Sequence, residues 1–194
     1  MGRIIAGSAG GLGLKSVPGD ATRPTTDRVK EALFSRLESR DELEGARVLD
    51  LYAGSGALGV EAASRGARSV VLVEQAPKAL AACQANASVV NKHLRNNVVA
   101  VRRGSVNAFL SAEAESGRGW DLAFLDPPYP LTEDELAATL LSLVPVLNEE
   151  ALVVLERSTR SPEPAWPAGL AATSSKKYGE TTLWFAEPVE ADAG

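Results

Sequence analysis

At 194 residues, with 45% hydrophobic and 23% charged, the chain has the size and composition of one ordinary globular domain with room for a small appendage. No uncharged apolar run of about 18 residues and no signal-peptide pattern occurs, and one Cys with one His excludes an intrachain disulfide or a zinc cluster; a cytoplasmic protein with no membrane segment and no metal is expected. The net charge of −5 argues against indiscriminate nucleic-acid binding, but residues 1–40 hold seven Lys and Arg against four Asp and Glu, so the amino end is the basic end.

In chain order, residues 3–6 and 12–17 flank Gly7-Ser8-Ala9-Gly10-Gly11 and read as a β-hairpin with thin, mobile strands. Residues 18–24 form a connector, after which Thr25 or Thr26 caps a helix carrying Val29, Ala32, Leu33 and Leu37 on one face. From Arg47 onward short apolar runs alternate with helical segments. Strands are predicted at 47–52, 69–74, 97–101, 120–125 and 151–156, and helices at 57–65, 76–90, 105–112 and 132–144. This is the pattern of a doubly wound α/β domain, a parallel sheet with helices on both faces. Residues 171–178 and 181–186, separated by Gly179-Glu180, read as an antiparallel hairpin that completes a mostly parallel seven-stranded sheet. The division expected is a hairpin over 1–20, a main domain over 21–187 and a disordered acidic tail over 188–194. Cys83, in the alanine-rich segment 79–87, reads as a small buried thiol, and His93 as an exposed loop residue.

Two motifs carry chemistry. The first is Val48-Leu49-Asp50-Leu51-Tyr52-Ala53-Gly54-Ser55-Gly56-Ala57-Leu58-Gly59, a strand, a glycine turn and a helix start, where glycines let backbone approach a ligand closely. Gly54, Gly56 and Gly59 satisfy G-x-G-x-x-G, so the glycines alone do not separate a nicotinamide dinucleotide from S-adenosylmethionine. Glu74, at the end of the next apolar run, can take both ribose hydroxyls in either class. Asp50 favours the sulfonium cofactor, whose positive charge and amino group suit a carboxylate; the structural alternative is a buried Asp bonded to loop N–H groups.

The second motif is Asp126-Pro127-Pro128-Tyr129, following the apolar run 121–125. A strand there places it at a carboxyl end, where open α/β sheets build their sites. Prolines hold the preceding residue extended and lack an N–H, so Asp126 and the Pro127 carbonyl offer acceptors in a stiff loop that can grip one planar NH2 group. Tyr129 adds a ring face on which an unstacked base can lie. The bland alternative is a plain turn.

With the hairpin, Arg23-Pro24-Thr25-Thr26-Asp27-Arg28-Val29-Lys30-Glu31-Ala32-Leu33-Phe34, the glycine motif, Asp-Pro-Pro-Tyr and Lys177-Tyr178-Gly179-Glu180-Thr181 in this order, the chain resembles the bacterial 16S ribosomal RNA guanine-N2 methyltransferases. The likeness extends to about residue 186. It implies a Rossmann-like class I S-adenosylmethionine-dependent fold, and methylation of the exocyclic amine of guanine 966 in small-subunit RNA, within a ribosomal particle, by a monomer. It assigns cofactor contacts to Thr26, Asp50, Ala53, Gly54, Ser55, Gly56, Glu74, Gln75, Ser105 and Val106, and catalysis to Asp126, Pro127, Pro128 and Tyr129. Arg3, Lys15, Arg23, Arg28 and Lys30 are the phosphate-binding candidates. Two departures stand out: Ser105-Val106 where related enzymes often carry an acidic residue for the adenine amine, and Gly10, Leu12 and Gly13 where relatives tend to carry Arg or Lys.

The same loop can hold any planar amine, so adenine-N6 and glutamine-N5 methylation remain alternatives. A nicotinamide oxidoreductase leaves Asp-Pro-Pro-Tyr unexplained, and a silent RNA-binding protein leaves it unused. Because the hairpin precedes the first helix, its removal is expected to spare the sheet and to impair only RNA recognition.

Overall fold

The computed structural model describes residues 2–19 and 26–190; Arg23, Thr25 and residues 191–194 lie outside them. The chain opens with a minimal ladder, β1 (Gly2–Arg3) antiparallel to β2 (Gly13–Leu14), and then α1 (Asp27–Ser39). A βα series follows: β3 (Arg47–Leu51), α2 (Ala57–Ser64), β4 (Ser69–Glu74), α3 (Pro77–Leu94), β5 (Val99–Arg103), α4 (Val106–Ser116), β6 (Trp120–Leu125), α5 (Glu133–Leu143) and β7 (Leu147–Ser158). Two more strands, β8 (Leu170–Tyr178) and β9 (Thr181–Pro188), complete a seven-stranded sheet in the order β5-β4-β3-β6-β7-β9-β8. The pairs among β5, β4, β3, β6 and β7 are parallel, and β9 is antiparallel to both β7 and β8.

The alternation of side chains along each strand divides the core in two. Val48, Val70, Leu72, Leu122 and Phe124 face α1, α2 and α3, with Phe34 of α1 packed 5.7 Å from Phe124 between ring centroids. Leu49, Leu51, Val71, Val73, Ala123 and Leu125 face α4 and α5. Burial on both faces explains why these strands read as continuous apolar runs. Each fully buried Leu, Val or Phe side chain contributes about 1.5–3 kcal/mol of transfer free energy. Among the described residues no helix is long and apolar enough to cross a membrane.

The hairpin is short but not loose. It lies against α2 and α3, with Ile4 and Ala9 at 0% exposure and Leu14 at 2%. The Ile5 and Ala6 N–H groups donate to the two carboxylate oxygens of Glu61 at 2.8 and 3.1 Å, and Ala9 N–H donates to Ser64 Oγ at 2.9 Å. Its turn is fixed by Ser8 N–H donating to the Ser64 carbonyl at 2.7 Å. His93 sits on the last turn of α3 rather than in a loop, exposed, with Nε2 2.9 Å from the Ser8 carbonyl.

Element ends differ from the predicted ones where side chains replace or prolong backbone pairing. α3 runs on to Leu94, because Asn91 accepts from Val99 N–H at 2.9 Å and donates to Val99 O at 2.8 Å, tying the last turn to β5. α4 extends to Ser116 and stops at Gly117 in the left-handed conformation. Pro188, which the sequence places in the tail, ends β9, and Val189 N–H donates to the Gly169 carbonyl at 3.0 Å.

Candidate functional site

β3 pairs with β4 on one side and β6 on the other, so the strand order reverses at its carboxyl end, which is where a crevice forms in such sheets. Leu51 and Leu125 are register partners, and both motifs therefore leave from adjacent strand ends.

The glycine loop is held by bonds within it and to neighbouring elements. Tyr52 takes φ 60°, a left-handed conformation uncommon for a bulky residue and frequent at functional sites. Its hydroxyl lies 3.1 Å from Thr139 Oγ1, which is buried in α5 and bonded to Asn107 at 2.9 Å. Ala53 N–H donates to the Val73 carbonyl at 3.0 Å, and Gly56 N–H to the Ala53 carbonyl at 2.7 Å. Gly54, at φ +58°, has open space where a Cβ would stand, leaving its main chain approachable by a ligand. Gly59 meets the opposite constraint, since a Cβ there would lie 2.2 Å from Leu72 Cδ2 and 3.1 Å from Asp50 Oδ2, so that the Leu72 side chain would have to shift.

Two carboxylates sit beneath this loop. Asp50 is 2% exposed and its Oδ2 accepts the Gly59 N–H at 2.8 Å, so it organises the loop from below; this is the structural alternative to direct cofactor contact. Burial pushes its carboxyl up to about 7, with the Gly59 hydrogen bond pulling down and nearby Glu74 pushing further up. Glu74 is half-buried at the end of β4. Its Oε2 accepts Gly54 N–H at 2.8 Å, and its Oε1 accepts the N–H groups of Gln75 and Ala76, each at 2.8 Å. Three N–H donors on one carboxylate fix its orientation and leave little spare acceptor capacity, so a ribose diol bound there displaces or shares the Gly54 N–H.

Asp126 is exposed, Pro127 is buried, and Tyr129 stands 80% exposed. The loop is closed by Leu131 N–H donating to the Pro128 carbonyl at 2.9 Å. It is then pinned by a capping box, in which Thr132 Oγ1 accepts Glu135 N–H at 3.2 Å and Thr132 N–H donates to Glu135 Oε2 at 2.8 Å. These bonds hold the Glu135 carboxyl below its ordinary value. Arg157 of β7 pairs with Glu133 in the same first turn of α5. An exposed aromatic ring beside an exposed carboxylate on so braced a loop suits a flat, polar-edged partner.

The remaining cofactor candidates are peripheral or structural. Ser105 caps α4, its Oγ accepting Ala108 N–H at 3.3 Å, and the Val106 side chain is 5% exposed in the second core layer, leaving only main-chain atoms for a ligand. Thr26 caps α1, accepting Val29 N–H at 3.3 Å. Gln75 is exposed directly after Glu74.

Of the phosphate candidates, Arg3 (68% exposed, 3.8 Å from Asp27), Lys15 and Arg28 are on the surface. Lys30 is not: its side chain is 4% exposed, Nζ donates to the Arg3 carbonyl at 2.8 Å and lies 3.8 Å from Glu61. Burial lowers its pKa while Glu61 opposes that shift, and an ammonium enclosed in this way cannot reach an RNA phosphate. Tyr52 and Asn86, the latter bonded to the Ser55 carbonyl at 2.8 Å, are not legible as site residues in the sequence, because neither carries a local signal for a left-handed φ or a contact 31 residues away.

Residues 2–187 match the family model described as conserved hypothetical protein 95. The chain is 34% identical over 182 residues to the Escherichia coli K12 protein named ribosomal RNA small subunit methyltransferase D, covering 92% of this chain and 85% of that one. Among solved structures, a candidate methyltransferase of Escherichia coli superposes with a TM-score of 0.80 at 30% identity, covering 96% of this chain and 97% of that one. A hypothetical protein of Thermus thermophilus superposes at 0.79 with 32% identity, covering 96% and 99%.

Proposed function

The chain belongs to the conserved hypothetical protein 95 family, and from that footing we propose that it is an S-adenosylmethionine-dependent methyltransferase acting on the exocyclic N2 amine of guanine 966 in 16S ribosomal RNA. The observation that carries this reading is the joint position of the glycine loop and Asp126-Pro127-Pro128-Tyr129 at neighbouring strand ends. It acts as a monomer on a small-subunit particle in the cytoplasm.

The donor set fits the cofactor. Glu74, half-buried at the end of β4, gives the crevice a carboxylate that suits a cation, buried Asp50 holds the loop through Gly59, and the open Gly54 main chain and Glu74 carboxylate stand where a ribosyl group would lie. When bound, S-adenosylmethionine supplies an electrophilic methyl group on a sulfonium. The obstacle on the substrate side is the guanine amine, whose lone pair is delocalised into the ring. Hydrogen bonds from that amine to the Asp126 carboxylate and the Pro127 carbonyl favour a pyramidal nitrogen, and the Tyr129 ring holds the extruded base by stacking. A bound cofactor would give up its methyl group and keep the sulfur–carbon electron pair, so the positive charge would be left on the amine nitrogen held by Asp126 and Pro127. The proton is then lost without a strong base beforehand.

Incubation with radiolabelled S-adenosylmethionine and small subunits from a strain lacking the enzyme tests this. Label in 16S RNA supports it. Label in DNA or protein selects the adenine-N6 or glutamine-N5 alternative, and no label selects a silent binding protein.

Two substitutions probe the parts. Glu74→Ala is expected to weaken S-adenosylmethionine and S-adenosylhomocysteine together by roughly 1–3 kcal/mol in calorimetry, since both share the ribose; unchanged affinity for both ligands removes Glu74 from the site. Tyr129→Ala is expected to lose activity and Tyr129→Phe to keep most of it. An equally severe Phe variant would move the role from the ring to the hydroxyl.

A further inference from the structure

Asn86 lies midway along α3, 2% exposed, and the chemistry above makes no use of it. It nonetheless joins the hairpin to the glycine loop. Its Oδ1 accepts the Lys15 N–H at 2.8 Å, while Nδ2 donates to the Lys15 carbonyl at 3.0 Å and to the Ser55 carbonyl at 2.8 Å. Only a planar amide offers this set, an acceptor for one N–H and two donors for two carbonyls. The β1–β2 ladder ends at Leu14, and beyond it the Asn86 amide bonds both the N–H and the carbonyl of Lys15.

We propose that Asn86 is a positioning residue that couples the N-terminal hairpin to the cofactor loop, so that cofactor and RNA binding reinforce one another. The RNA half rests on the function proposed above. The side chain of Lys15 is exposed, where it can meet a phosphate, while its main chain is held by the amide that also fixes Ser55. Ordering of Ser55 by cofactor therefore fixes Lys15, and a phosphate that seats Lys15 steadies the loop; reciprocity follows from linkage. The hairpin's other anchors, at Lys30, Glu61, Ser64 and His93, are separate, so loosening this clamp frees the Lys15 end without undocking the hairpin.

The full-length protein is compared with Asn86→Asp, which keeps the acceptor and loses both donors, with Lys15→Pro, which removes the N–H that Asn86 Oδ1 accepts and with it the lysine ammonium while leaving the residues of α3 and the loop unchanged, and with Lys15→Ala, which removes the ammonium alone and is expected to keep the parental cofactor affinity and exchange. S-adenosylhomocysteine affinity is measured with and without small subunits from a strain lacking the enzyme. Amide exchange is followed at Gly54 and Gly56, with β6 as the reporter of global opening. Asn86→Asp and Lys15→Pro are expected to weaken S-adenosylhomocysteine about fivefold and to lose a mutual reinforcement of about fivefold or more present in the parent. Exchange at Gly54 and Gly56 should rise while β6 stays protected. Parent-like affinity and exchange in Lys15→Pro overturn the proposal, as does a uniform rise that includes β6, which marks Asn86 as merely structural. If the loop responds to Asn86→Asp and Lys15→Pro but subunits bind no form of the protein, the hairpin-to-loop coupling stands and the ribosomal substrate fails instead.

Discussion

Asp126→Ala is expected to lower kcat at saturating S-adenosylmethionine by at least about a hundredfold, while cofactor affinity stays within a few-fold. Asp126 leaves the end of β6, exposed, on a loop braced by the Leu131 hydrogen bond and the Thr132 capping box. What the substitution takes away is one oriented acceptor for the substrate amine, and loss of such a contact costs roughly 3 kcal/mol of barrier. Asp126→Asn, which keeps one acceptor oxygen but brings an NH2 group toward the amine, should fall between the two. Single-turnover methylation of small subunits gives the rate and calorimetry the affinity. Near-normal turnover in the alanine variant would remove Asp126 from the reaction.

The second large effect falls far from the chemistry. Glu61→Ala is expected to destabilise the fold by about 3–5 kcal/mol, the cost of stripping one partner from a buried ion pair. Glu61 is fully buried; it accepts from Ile5 and Ala6, pairs with Arg65 at 2.8 Å and lies 3.8 Å from Lys30. Its loss leaves Lys30, at 4% side-chain exposure, without its nearest carboxylate, and Arg65, at 3%, with Glu38 at 3.1 Å as its remaining partner. For a domain of this size that is a fall in melting temperature of about 6–20 °C. Removing residues 1–17 should act in the same direction, since it uncovers Glu61, Ser64 and Asn86 and deletes buried Ile4, Ala9 and Leu14. Lower melting and weaker S-adenosylhomocysteine binding are thus expected of the truncation, the reverse of what the order of elements suggests. A truncated protein with parental melting and parental cofactor affinity would restore the view of the hairpin as a dispensable arm.

The contrast between these two regions shows what is legible in the sequence. Strands β4 and β6 fall at their predicted limits and β3 within one residue of them, because runs such as Val70-Val71-Leu72-Val73 are buried on both faces and need no distant partner to be recognised. Asp126-Pro127-Pro128-Tyr129 is likewise local, its stiffness written into its prolines. The hairpin's attachment is not local: Glu61, Ser64 and Asn86 read as ordinary polar helix residues, and their partners lie 55–71 positions away. Lys30 does leave a trace. It stands four residues before Phe34 and seven before Leu37, on the buried stripe of α1, where a lysine must find a carboxylate.

The placement of β9 between β7 and β8 bears on the order in which the chain can fold during synthesis. β8 is made before β9 but pairs in the sheet only with β9, and β7 keeps one unpaired edge until residues 181–186 arrive to cover it. The sheet therefore stays open on that side until almost the whole chain has left the ribosome, and a nascent chain stopped before Thr181 lacks the docking of two strands, not one. Until then the Val153-Val154-Leu155 segment of β7 offers a bare apolar edge to any neighbouring strand.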